Sequence, residues 1–148
     1  ATQTGANTFG CYVNGTPFIQ ERRTGAPIVG TQIGLNSTQD KWFIQIDAAM
    51  REVDTLFPYS IFVTVEFFPD TSKTYVVNDL RNKLWGGRFD APGTSVYLDF
   101  DRDTGWVKID RFDTLSRIIA GRFEFSFTDP ELGTYNITDG RFDCHYTY

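Results

Sequence analysis

Asp99, Asp101, Asp103 and Asp110 set carboxylates at positions 1, 3, 5 and 12 of one short stretch, the spacing with which a calcium loop surrounds a hard cation with oxygen. The glycine that turns such a loop belongs at position 6, where this chain has Thr104, and Gly105 follows one place late. Residues 107–111 also read as strand rather than as an exiting helix. Hairpin-turn aspartates bonding local amides are the ordinary explanation, with a calcium ion as the alternative and no other cofactor implied. The same acids could be proposed as a glycosidase pair, but nothing marks one as an apolar-shielded acid and another as a nucleophile.

A second constellation is aromatic. Trp85 sits in NKLWGGRFDAPG with Arg88 and Asp90, and a flat indole beside a guanidinium and a carboxylate in a glycine-rich loop is a way to hold a glycan or a peptide. The competing reading is that Trp85 folds back and plugs the end of the domain. Trp42 and Trp106 are the other members of a possible stacking platform. The third constellation is small: Cys11, Cys144 and His145, the one histidine. Neighbouring strand residues point to opposite faces, so His145 cannot activate Cys144. No nucleophile-elbow sequence exists to meet His145, and one imidazole does not make a zinc centre. An enzyme is not indicated.

These residues must be positioned by strands. The chain has 148 residues, with 18 Thr, 14 Phe, 10 Ile and 9 Val against 7 Ala, 7 Leu and 5 Glu, a balance that favours pleated surfaces over helices. Short alternating runs broken by Gly, Pro, Asn and Asp predict strands near 8–13, 17–21, 27–34, 41–48, 60–68, 73–77, 94–100, 105–111, 117–128 and 134–148. The fold class is all-β, an antiparallel two-sheet β-sandwich, with a partly closed β-barrel as the alternative. Residues 1–7 read as a flexible tether and 8–148 as a single domain.

Within that domain, 60–68 is apolar on both faces and belongs in the middle of a sheet. The segment 48–58 fits a helical turn or a crossing loop, closed by Pro58. DRDTGW, 101–106, reads as a tight hairpin with Gly105 at positive φ. Phe123, Phe125 and Phe127 share an inner face opposite Arg122, Glu124 and Ser126. Arg-Phe-Asp occurs at 88–90, 111–113 and 141–143, with Gly-Arg-Phe-Glu from Gly121. On a strand, its Arg and Asp share the wet side while Phe turns inward, so same-face ion pairing explains the recurrence better than an internal repeat. Cys11 falls on one face with Phe9 and Val13, and Cys144 on one with Phe142, Tyr146 and Tyr148. Both thiols therefore point inward, and either a bridge between neighbouring terminal strands or two buried thiols fits. A net charge of −5 gives no general attraction for polyanions, so nucleic acid is not expected as a partner.

FGCYVNGTPF near the start and RIIAGRFEFSFTDPELGTYNITDGRFD near the end resemble an uncharacterised group of Bacteroidota lipoprotein-type or secreted β domains. The resemblance covers both ends and the 105–113 strand. It implies export, to the periplasm or to the outer membrane through a lipid anchor upstream of Ala1, and implies no activity. An oxidising compartment would favour a Cys11–Cys144 disulfide. The function expected is that of a non-catalytic cell-envelope protein binding a glycan or peptide. A structural protein docking an envelope partner through a sheet edge is the alternative, and a hydrolase using Asp99, Asp101 or Asp110 comes third.

Overall fold

A computed structural model of the chain describes residues 3–19, 29–36, 41–49, 60–66, 71, 74–76, 87–91, 94–97, 103–130 and 133–146. All regular structure among them is β: β1 Thr8–Val13, β2 Thr16–Ile19, β3 Val29–Asn36, β4 Lys41–Ala49, β5 Ser60–Glu66, β6 Thr74–Val76, β7 Gly87–Ala91, β8 Thr94–Tyr97, β9 Thr104–Asp113, β10 Ile118–Asp129 and β11 Gly133–His145. They form two antiparallel sheets, one ordered β2-β1-β11-β10-β9-β6 and the other β3-β4-β5-β7-β8. Each order has two free ends, so neither sheet closes into a barrel. The strand expected to be central, β5, is the middle one of five.

Alternation places the core. Phe9, Cys11 and Val13 of β1, Val107 and Ile109 of β9, Phe123, Phe125 and Phe127 of β10, and Ile137, Phe142 and Cys144 of β11 are buried. Ile46, Ile61 and Val63 of the second sheet belong to the same core cluster, which is consistent with a sandwich. Rings supply much of the contact: Phe123 lies 5.0 Å from Phe9 and 5.4 Å from Phe125 between centroids, within the range where aromatic pairs attract beyond their area.

Three expectations are corrected. DRDTGW is not a hairpin, because β8 pairs with β7 in one sheet while β9 pairs with β10 and β6 in the other. Gly105 lies inside β9, where a Cβ would run into Phe125 and the Glu124 carbonyl; close strand approach, not a turn, requires glycine there. Arg88 and Asp90 lie on β7 rather than in a loop. The cysteines are free thiols. Thr8 pairs with Asp143, which puts Cys144 level with Asn7, four positions and about 13 Å along the strand from Cys11. A disulfide needs Cα atoms within about 7 Å. Both thiols do face inward, and burial pushes that of Cys11 up to about 12. The 50–58 part of the candidate helical turn lies outside the described residues.

Candidate functional site

The solvent side of β9, β10 and β11 carries a connected set of polar side chains. Register sets it out in rows across the strands. Lys108 pairs with Arg122, Arg122 with Arg141, and Arg141 with Gly10 of β1. One step along, Val76 of β6 pairs with Trp106, and Trp106 with Glu124. The indole is half-buried and its Nε1 donates to Glu124 Oε2 at 3.1 Å.

Two β-bulges shape this patch. Ile109 pairs with Gly121 and Arg111 with Ala120, so Asp110 is an extra residue with no partner of its own. Its carboxylate accepts from Arg122 Nε at 2.8 Å and Nη2 at 3.0 Å. That two-point contact holds Asp110 below the usual carboxylate range and raises Arg122. On β11, Phe123 pairs with Gly140 and Phe125 with Ile137, so Glu124 faces two residues, Thr138 and Asp139, the latter at φ 52°. Lys108 and Arg141 make no ion pair among the described residues.

The expected tether is a second feature of the same sheet. Residues 3–7 fold back over β11 instead of trailing away. Asp143, fully buried, accepts from Gly5 N at Oδ1, 2.6 Å, and from Thr4 N at Oδ2, 2.9 Å. Gln3, Gly5 and Asn7 all have positive φ, a left-handed alternation that turns successive amides toward one anion. Arg111 donates to the Gln3 carbonyl, and Asn7 Oδ1 accepts from His145 N at 2.8 Å. Gly5 sits at φ 74°, where a side chain is strained, and a Cβ there would also come within 2.5 Å of His145 Nε2. Arg111 also bonds Asp113 at 2.7 Å, and Asp113 caps the following turn through Leu115 N and Ser116 N. The Ser116 amide and Arg111 together hold its carboxyl down at about 2.

Asp99, Asp101 and Trp85 lie outside the described residues. Asp103 is buried and accepts from Thr128 N at 3.0 Å. Asp110 stands seven residues further, about 23 Å along β9, committed to Arg122, so these two do not share a metal site. Arg88 is in register with Phe62 and Tyr97, and Asp90 with Ser60 and Ser95. The Arg-Phe-Asp triplets behave as anticipated at 111–113, where Arg and Asp pair and Phe112 packs against the core. At 141–143 the Asp is buried under the strap rather than wet. The row Lys108, Arg122, Arg141 was missed. Its signal was present in the arginine-bearing triplets, but only strand order and register reveal which arginines are neighbours. No protein-family model, no curated protein and no solved structure matches the chain.

Proposed function

We propose that the chain is a non-catalytic glycan-binding module of the cell envelope, and that it binds through the outer face of β9, β10 and β11 rather than through the Trp85 loop. The observation that carries this reading is the fixed set Trp106–Glu124 beside Arg122–Asp110. An indole held in place by its own N–H offers a stationary surface for a sugar ring. The adjacent guanidinium and carboxylates, already locked, can donate to and accept from hydroxyls with little ordering cost. A catalytic reading has less support: Asp103, Asp113 and Asp143 spend their carboxylates on backbone amides, Asp110 on Arg122, and the one imidazole lies against Gly5. The envelope setting rests on the resemblance of the two chain ends to exported β domains.

Tryptophan-fluorescence titration against a panel of neutral and acidic oligosaccharides tests the proposal. The expected result is a saturable change in the native chain that persists in Trp85→Phe and disappears in Trp106→Ala, with unchanged far-UV circular dichroism. A panel that moves neither the native chain nor Trp85→Phe refutes it, and a signal lost only in Trp85→Phe returns the site to the loop.

A further inference from the structure

The outer row breaks a rule of sheet construction. Like charges directly opposite one another on neighbouring strands are destabilising, yet Lys108, Arg122 and Arg141 stand side by side on three adjacent strands. Asp110 compensates Arg122 at the centre. Lys108 feels the charge of Asp110 without making an ion pair to it, and Arg141 makes no ion pair among the described residues. From this juxtaposition, and resting on the glycan-binding reading above, we infer that the row is a track for an extended acidic glycan bearing one carboxylate or sulfate on every second sugar.

Spacing supports alternate rather than continuous charge. Lys108 and Arg141 are two strand intervals apart, about 10 Å, close to the length of one disaccharide in an extended chain. Between them, Arg122 has two donor positions tied to Asp110 and the rest of its guanidinium unused by it, which suits the hydroxyls of an intervening uncharged sugar. Gly10, opposite Arg141, leaves the β1 end of the row without a side chain. At the other end Trp106 lies two residues from Lys108 on the same strand face, so a ring stacked there would present its acid group to the ammonium.

The surrounding charge argues against a denser polyanion. Glu124 and Asp110 border the row and Asp139 lies at the neighbouring bulge, while the chain as a whole carries −5. Attraction is therefore local, reaching about 10 Å at ordinary salt. A strand with a phosphate on every unit would set charge against Glu124. A chain with neutral sugars between acid groups would instead offer Glu124 hydroxyl donors.

The test is isothermal titration with a hyaluronan oligosaccharide, which carries a carboxylate on alternate sugars, with its carboxyl-reduced neutral counterpart, with an oligogalacturonate charged on every sugar, and with a single-stranded oligonucleotide. The alternating acid should bind tightest. Lys108→Gln and Arg141→Gln should each weaken that binding two- to five-fold and together about tenfold, with a smaller loss for the neutral counterpart. Equal binding of the neutral oligosaccharide overturns the inference while leaving the glycan-binding reading standing, and equal or tighter binding of the oligogalacturonate or oligonucleotide overturns the charge spacing. Failure of every saccharide defeats both.

Discussion

Replacing Asp143 by Asn changes one atom in a site where the geometry dictates the outcome. Each carboxylate oxygen accepts one strap amide, Gly5 N at 2.6 Å and Thr4 N at 2.9 Å. Asn keeps one acceptor and points an NH2 at the other amide. Charge-assisted bonds contribute about 1.5–3 kcal/mol and neutral ones about 1 kcal/mol, so one bond is lost outright and the other weakened, roughly 3 kcal/mol in total. Against this stands what holds the strap down. Two charge-assisted bonds at about 2 kcal/mol, with the Asn7–His145 and Arg111–Gln3 contacts at about 1 kcal/mol each, sum to about 6 kcal/mol. Ordering five residues costs about 1 kcal/mol or more apiece. The balance is close to zero, so Asp143→Asn should release residues 3–7 while β1 stays paired with β11. Hydrogen exchange by NMR reads this directly: protection should vanish at Thr4 and Gly5 and fall at His145, with the β10–β11 amides unaffected. The thermal midpoint should drop by only a few degrees, because about 1 kcal/mol corresponds to about 2–4 °C in a chain this long. Thr4 and Gly5 amides that remain protected in Asp143→Asn would refute the reasoning, as would cooperative loss of the whole sheet.

Other expectations follow from single sites. Gly121→Ala puts a methyl on the Lys108 carbonyl and within 2.6 Å of Phe142 Cζ, so urea denaturation should show a loss of about 3 kcal/mol; Gly15→Ala, which meets nothing at φ 80°, should cost about 1 kcal/mol. Both thiols should ignore a disulfide reagent at pH 8 in the native protein, Cys11 because burial holds it near 12, and two should react in denaturant; fewer than two, or a denaturation midpoint shifted by reductant, would contradict the free-thiol assignment. Asp113 is depressed to about 2, below the usual unfolded value near 3.9. Its contribution to stability is therefore present above about pH 4 and lost as pH falls toward 2. A carbon-detected NMR titration should find its midpoint near 2, and Asp113→Asn should flatten the acid limb of the stability curve.

How much of this was legible depends on the range over which each signal acts. β1, β4 and β10 follow from alternation alone, since each has one apolar face, and β9 and β11 follow from alternation on either side of one change of phase. β7 was hidden by Gly86 and Gly87, which announce a loop locally although residues 87–91 find pairing partners on both sides. Asp101, Asp103 and Gly105 announce a hairpin for the same reason, yet Asp103 bonds Thr128 across the chain and Gly105 serves the approach of β10. The strap could not be read at all. A run of small polar residues carries no periodicity, and its partner Asp143 looks from sequence like any strand carboxylate with a wet face.

The bulges were legible in a form that strand counting overlooks. On β11 the inward residues change phase: Tyr135 and Ile137 are odd, whereas Gly140, Phe142 and Cys144 are even. On β9 Val107 and Ile109 are odd and Phe112 is even. A strand cannot bury both sets without an extra residue between them, because a shift of one position turns every side chain to the other face. The extra residues are Asp110 and Asp139, and both fall beside the row Lys108, Arg122, Arg141. The bulge at Asp110 brings a carboxylate to Arg122 that regular pairing would have placed elsewhere, and the bulge at Asp139 sets the register that puts Arg141 opposite Arg122. The irregularities and the cationic row thus have one origin, and a surface built on paired central strands holds its groups in fixed geometry more firmly than a loop can.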